Sequence, residues 1–551
     1  FNGCTALGPE EAGGIVLPAS FATLGNYAFR DCSALFSVTL LGTALTSIGS
    51  SAFMDCTSLT SIDLSQQAGL TTVGASAFSG CGSLESIVLP ASVSFTSTSG
   101  SRYLFQNCTS LETAVINSSG VLPSYTFDGC TALLRVTLNN EIQQIGTYAF
   151  RNCASLHAIN QADGVNSLPT QLTVLGYATT SAAYVFQNCT SLGNITIPDG
   201  VTSIAKYNFS GCTALSSVTL GANVTAIYPR AFENCTSLTS ITLPDGLLNL
   251  GVSQNITDSH TAAGSGSSST TITSSNLIGT SPSNNGAFFG SGLTSITIPA
   301  SVKAIGPDAF NGCVSLTSVT ITGLVDGTSA LLGIGARAFN GCTLISQSLT
   351  IPESVDYVGA YAFAGTGITG VTWNSPAIVR EYTFSGCTAL SGVTLNDAIT
   401  QILQYAFSGC TSLAQIHLPE SLVNLGEACD TGDSYAALYQ VEGGVFMNCT
   451  ALTSVNIPAG VEFLPAQTFA GCTQLANVTF NNATVRLLNN NVFAGCTALQ
   501  SNATASAPAD GDATLISIMN DAIYLDRYTD GQRTGRVLSA YLGTGTDVTF
   551  A

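Results

Sequence analysis

Charge is scarce in this chain of 551 residues: Asp, Glu, Lys and Arg together supply 8% of it, against roughly 25% in ordinary soluble proteins. What charge there is runs acidic, with a net value of −19 and two lysines, Lys206 and Lys303. A phosphate backbone would be repelled, which excludes nucleic acid as a partner. No apolar run approaches the roughly 18 residues of a membrane span, and no basic segment followed by an apolar one opens the chain. The sequence starts at Phe1 without a Met, as expected of a processed or trimmed chain. Histidine is nearly missing too: His157, His260 and His417 stand far apart, too few to complete zinc sites with the cysteines. DGD at 510–512 and DTGD at 430–433 are closer to turns than to a calcium loop. The expectation is a protein with no catalytic residue, no metal and no cofactor.

What is abundant is repetition. A phenylalanine followed three residues later by cysteine occurs seventeen times, from Phe1/Cys4, Phe29/Cys32 and Phe53/Cys56 to Phe469/Cys472 and Phe493/Cys496. Two further units keep the aromatic and lose the thiol, at Phe289/Gly292 and Phe363/Thr366, which makes about nineteen units. Undisturbed cysteine spacings are 22 to 25 residues, as from Cys189 to Cys212 to Cys235. That spacing lies in the window of a leucine-rich repeat. Within a unit, Leu238, Ile241 and Leu243, like Leu316, Val319 and Ile321, follow L-x-x-V/I-x-I/L. The last two alternate as in a half-buried strand. A proline often follows at once, as at Pro90, Pro198, Pro299 and Pro458, and ends ladder pairing there. A second apolar pair such as Val201 and Ile204 comes next, then the turn that carries the Phe. No single unit can bury its apolar side, so neighbours must stack.

Units such as FSGCTALSSVTLGANVTAIYPRAF, residues 209 to 232, and FNGCVSLTSVTITGL, residues 310 to 324, resemble the BspA-type leucine-rich repeats of bacterial and protist surface proteins. The resemblance covers residues 1 to about 499. It implies a β-rich solenoid of about nineteen coils, a place outside the cell or at its surface, an adhesive or binding role, and no catalytic residues to carry over.

Breaks in the repeat add to this. Insertions at 94–104, 176–185, 251–287 and 426–445 all fall between the second apolar pair and the Phe. One register means one edge of the solenoid, so they are either tolerated surface loops or a lateral contact face. The tail, 500–551, opens on a linker-like SNATASAPADGDAT and ends on DVTFA, in which Val548 and Phe550 stand as Val478 and Phe480 do in NVTF. With Phe1 and Cys4 at the other end, this suggests uncapped ends whose edges stack on another copy, head to tail, into a filament.

In the first strand the residues between apolar ones are hydroxyls: Ser217, Thr219, Ser240, Thr242, Ser295, Thr297, Ser318 and Thr320. Asp63 and Arg135 are the charged exceptions. Such a face, on what would be the concave sheet, is either well-paired strand surface or a site for a glycan or a surface protein. Seventeen of the eighteen cysteines share one register and are expected as a mostly reduced buried column, while Cys429 stands outside it as a special bond or a plain loop thiol. Twelve N-x-S/T sequons are candidates for N-glycosylation: Asn107, Asn117, Asn188, Asn194, Asn208, Asn223, Asn234, Asn255, Asn448, Asn477, Asn482 and Asn502. Asn107, Asn188, Asn234 and Asn448 recur as NCT at one register. The expected function is that of a glycosylated extracellular filament subunit; the alternative is a monomeric adhesin or receptor using its hydroxyl face.

Overall fold

The typical repeat folds as a single coil with three sides, two of them parallel strands and the third a pair of tight turns. These are seen in a computed structural model that describes residues 1–95, 102–176, 182–253, 256, 277, 286–323, 330–426, 443–461, 463–481, 486–487, 492–501, 514–519, 522–529 and 532–541. For residues 12, 463, 480, 486–487, 500–501, 514–519, 522–529 and 532–541 only the backbone is described. The chain divides into two compact units, Phe1–Asn255 with Gly286–Ser301, and Ile256–Asn285 with Val302–Ala551.

In the first unit, Ser86–Leu89, Thr113–Ile116, Arg135–Leu138 and Ala158–Ile159 form one parallel sheet, with Ile87, Ala114, Val136 and Ile159 in register. The shorter second strands pair likewise, as Thr23–Leu24 with Ser47–Ile48 and Thr72–Val73, or Ser203–Ile204 with Ala226–Ile227 and Asn249–Leu250. In the second unit Ser348–Ile351, Gly370–Trp373 and Gly392–Leu395 make the first side, and Ala304–Ile305, Gly333–Ile334 and Tyr357–Val358 the second. Between the two sides the proline opens a turn: the amides of Val93, Val201, Val355 and Val461 donate to the carbonyls of Pro90, Pro198, Pro352 and Pro458. Proline's fixed φ suits a turn start, and its carbonyl remains free to accept.

The motif Phe-x-x-Cys-x-x-Leu is the third side. The Cys56 amide donates to Phe53 O and the Leu59 amide to Cys56 O, each bond closing three residues on. Coils are tied along this side as well, Phe53 N to Ala77 O at 2.8 Å and Asp55 N to Ser79 O at 2.8 Å. Two residues of each such turn take left-handed backbone, for example Tyr148 (φ 60°) and Asn152 (φ 61°). The second is Asn or Asp where it is not Gly, as at Asp31, Asp55, Asn107, Asn188, Asn234 and Asn448, the side chains that tolerate this region best.

Phenylalanine fills the interior. In the first unit eleven rings stack from Phe1 to Phe288 at 5.1–5.6 Å between centroids. In the second, eight stack from Phe310 to Phe493 at 5.1–5.7 Å. Each fully buried ring contributes about 1.5–3 kcal/mol of transfer free energy. The ring count agrees with the coils expected from the sequence, with one correction. The plug of the coil without cysteine is Phe288, buried and stacked on Phe232, while Phe289 is half-exposed. Ser291 therefore stands at the cysteine position, one residue before Gly292.

Gaps in the ladder are bridged by side-chain amides. Asn166 accepts from Ile159 N and donates to His157 O and Asn194 O. Gln347 both accepts from Val319 N and donates to Val319 O. The last strand of the repeat pattern within the described residues is not left open. Asn477–Phe480 pairs antiparallel with Thr514–Met519, which continues into Ala522–Thr529 and Gln532–Tyr541. That edge is occupied by the chain's own antiparallel hairpins. Val548 and Phe550 lie outside the described residues.

Candidate functional site

The hydroxyl face exists as an exposed surface. Ser217, Thr219, Ser295, Thr297 and Thr320 are exposed and Ser318 is half-buried, because alternate strand residues point away from the core; Ser240 and Thr242 are exposed too, but the strand expected there does not form. Parallel pairing keeps them in rows: Ser217 lies beside Asn194, and Thr219 beside Thr196. In the second unit Thr350, Thr372 and Thr394 form such a row, and further on Thr479 Oγ1 donates to Asn456 Oδ1 at 2.8 Å. Asp63 and Arg135 are both exposed on this side. Hydrogen bonds from Ser65, its hydroxyl first and its amide second, hold the Asp63 carboxyl below the usual carboxylate range.

One stretch of this face is hollowed. Where other coils carry Ser, two adjacent ones carry Gly370 and Gly392, in register with Ser348. Losing two side chains leaves an open depression of about 510 Å³. Its rim includes Thr372, Thr394, Ser391, Gln415 and His417. His417 stands at the threonine position of its own coil and is exposed. Sequence reasoning set His417 aside as an isolated histidine; only the register reveals the hollow beside it.

The cysteine column is present, with seventeen free thiols of which all but Cys4 are buried. Buried sulfurs donate to the carbonyl of the preceding coil's phenylalanine, as Cys56 Sγ to Phe29 O at 2.9 Å and Cys212 Sγ to Phe186 O at 3.1 Å. Burial pushes both thiols up to about 12, which leaves them protonated and poorly nucleophilic at neutral pH. In the coil that lacks the thiol, Thr366 Oγ1 donates to Phe363 O at 2.8 Å. Cys429 lies outside the described residues. Among the described residues no cluster of three metal-ligating side chains occurs, and no helix is long and apolar enough to cross a membrane.

Of the sequons, Asn107, Asn188, Asn234 and Asn448 are exposed, as are Asn117, Asn223 and Asn477. Asn194 is half-buried, its amide donating to Gly164 O. Asn208 is a correction: it is fully buried and its amide donates to Leu175 O, so the folded coil has no room for a sugar there. Asn255, Asn482 and Asn502 lie outside the described residues. The NCT column also has a backbone cause, since all four of its asparagines occupy the left-handed turn position, with φ between 56° and 60°. Phe1 is 72% exposed and stacks on Phe29, and Cys4 beside it is exposed. Most of the four insertions falls outside the described residues.

Sequence reasoning passed over a second aromatic column. Two residues before the phenylalanine, Tyr103, Tyr125, Tyr148, Tyr184 and Tyr207 stack in succession at 4.5–4.8 Å. The Arg151 guanidinium lies 4.6 Å from the Tyr148 ring. The recurring Y-x-F was its signal.

A parallel solenoid with hydroxyl rows outside and thiol and phenyl columns inside defines a leucine-rich-repeat protein. The chain belongs to the BspA type leucine rich repeat region family, which matches residues 1–119, 68–172, 179–281, 283–372, 324–434 and 436–508. No curated protein matches it. Among solved structures it is similar to a leucine-rich repeat protein from Bacteroides ovatus, at 23% identity over 78% of this chain and 81% of that one, with a TM-score of 0.45. It is similar also to a leucine rich cell surface protein from Faecalibacterium prausnitzii, at 22% identity over 72% and 88%, TM-score 0.35. The pneumococcal vaccine antigen PcpA matches at 16% identity over 69% and 78%, TM-score 0.36.

Proposed function

We propose that this chain is a recognition scaffold outside the cell or at its surface, and that it binds an uncharged, hydroxyl-rich glycan on the outward Ser/Thr face of its first sheet. Membership of the BspA-type family supports the location. The observation that carries the ligand class is the face itself: exposed hydroxyls in register, with few charges among them. Hydroxyls both donate and accept, which matches sugar hydroxyls, whereas the net charge of −19 disfavours acidic ligands. The hollow at Gly370 and Gly392 gives that face a shaped recess. The reading assigns no reaction to the chain.

A neutral-glycan array probed with the full chain, and with Thr372→Glu/Thr394→Glu, tests this. The proposed outcome is saturable binding that weakens at least tenfold in the double variant, with a cooperative melt kept and lowered only slightly by the two facing carboxylates. Absence of any glycan binding, or binding indifferent to the double variant, overturns it. Head-to-tail assembly is the weaker reading, because the ladder edge at Asn477–Phe480 is already paired. Filaments of the purified chain under electron microscopy would restore it.

A further inference from the structure

The tyrosine column is built differently from the phenylalanine column beside it. Phenylalanines from Phe29 to Phe288 are buried, but Tyr103, Tyr125, Tyr148, Tyr184 and Tyr207 are all half-exposed. Each also adopts left-handed backbone, φ 46–62°, a conformation that costs a non-glycine residue roughly 1–2 kcal/mol. Ring stacking offsets about 0.5–1.5 kcal/mol of this per pair, so packing explains part of the pattern. Phenylalanine would stack equally well; what the phenol adds is a side-chain hydrogen bond within the pair, Tyr125 with Tyr148 and Tyr184 with Tyr207, which holds the two ring oxygens together.

Two pairs are closest in this unit: Tyr125 with Tyr148, and Tyr184 with Tyr207, both at 4.5 Å with near-parallel rings. The second unit repeats the arrangement with Tyr361 and Tyr382, at 4.4 Å and 5° between planes, again half-exposed. The groups that would ordinarily intercept an oxidant first are the thiols. Here they are buried, and burial raises their ionisation well above neutral pH, as for Cys153, Cys189 and Cys212. Among the described residues Cys4 is the exposed exception. Outside the cell, the stacked phenols are therefore the more accessible one-electron donors.

We propose that Tyr125–Tyr148 and Tyr184–Tyr207 are sites of oxidative coupling to dityrosine, a covalent staple between successive coils, with hydrogen peroxide as oxidant and a haem peroxidase as catalyst. Each phenol gives up its hydroxyl hydrogen atom. The two radicals join through a carbon–carbon bond between ring positions adjacent to the oxygens, and the two ring hydrogens displaced there return to the oxygens as the rings regain aromaticity. One peroxide takes up the two hydrogen atoms and leaves as two waters, so atoms and electrons balance. Tyr27 serves as an internal contrast. It is 48% exposed, yet the corresponding residue of the next coil is Ser51, so it can couple only with another molecule.

The test treats the full chain with a haem peroxidase and hydrogen peroxide at neutral pH, with free tyrosine coupled in parallel as a control. Monomer is separated by size, assayed for dityrosine fluorescence and mapped by mass spectrometry. Fluorescent monomer with linked peptides joining Tyr125 to Tyr148 or Tyr184 to Tyr207 is expected. Tyr148→Phe, which keeps the stack, should lose the Tyr125–Tyr148 peptide and retain Tyr184–Tyr207, while Tyr125 keeps Tyr103 as its one remaining stacked phenol at 4.7 Å. Monomer without dityrosine, links confined to Tyr27 of separate chains, or loss of the Tyr184–Tyr207 link in Tyr148→Phe would overturn the proposal.

Discussion

The side-chain oxygen of Asn107 lies over Gly129 of the following coil, where a β-carbon would collide with it. The same relation joins Asn188 to Gly211, Asn234 to Gly290 and Asn448 to Gly471. At these four steps asparagine is followed by glycine; where Asn188 follows Asn152 instead, its Nδ2 donates to Asn152 Oδ1 at 3.0 Å. At Gly341 a β-carbon would meet nothing within 4 Å, although φ is +74° there and +78° at Gly129. Gly341→Ala should cost only the left-handed strain, about 1–2 kcal/mol, and Gly129→Ala clearly more. Local hydrogen exchange in the two coils measures both, since repeat arrays open locally. Equal losses would show that the asparagine contact does not constrain the next coil.

Alkaline pH should unfold the chain before acid does much at the cysteine column. Burial raises Cys56, Cys212, Cys449 and Cys496 to about 12 from an ordinary 9.0. Between those values the unfolded thiols have released protons that the folded ones retain, so stability falls as pH rises. The contribution is whole below about pH 9 and is lost progressively towards about 12. Thermal melting across pH 7 to 12 should be level and then drop, and at neutral pH a thiol reagent should label Cys4 while sparing the buried column. A melting temperature unchanged up to pH 11 would contradict this.

Much of the coil was legible because its periods are physical. Alternation in L-x-x-V/I-x-I/L gave the first strand, proline its end, and the Phe-x-x-Cys step the plug and the thiol column. The coil at Phe288 was misplaced by one residue because two phenylalanines adjoin and no cysteine fixes the choice; only stacking on Phe232 decides it. The NCT column was visible but its cause was not, since left-handed backbone at Asn107 or Asn188 is a property of the turn. Asn208 showed no sign of burial in a sequon that resembles the others. The hollow at Gly370, Gly392 and His417 needed the parallel register, which places residues from coils more than twenty positions apart side by side.

Phe209 sits fully buried between Phe186 at 5.4 Å and Phe232 at 5.3 Å. Phe209→Ala removes contacts on both sides and leaves a cavity that the stacked backbone cannot close, for about 3–5 kcal/mol. Phe1, 72% exposed with a stacking partner in Phe29, should lose under about 0.5 kcal/mol on the same change. Denaturant unfolding of the two variants distinguishes a column that stabilises through mutual burial from one whose rings act independently; comparable losses at both positions would refute the former.

Asp308 receives two parallel hydrogen bonds from Arg337, Nε to Oδ1 and Nη2 to Oδ2, both 2.8 Å, and a third from Asn311 Nδ2 to Oδ1 at 2.7 Å. The pair is nearly dry, with side-chain exposures of 11% for the arginine and 1% for the aspartate. Asp128 and Arg151 make a similar bidentate contact at 2.7 and 2.8 Å, but that guanidinium is 31% exposed. Asp308 also occupies left-handed backbone at φ 56°, which asparagine tolerates, so Asp308→Asn changes charge without straining the chain. It leaves a buried guanidinium facing an amide, which should cost about 3–5 kcal/mol. Asp128→Asn should cost visibly less, because water can reach Arg151 and replace the lost acceptor. Adding Arg337→Met to Asp308→Asn should recover part of the loss by removing the stranded charge. If the two aspartate variants lose equal stability, or the methionine recovers nothing, desolvation of Arg337 is not what makes the Asp308 pair matter.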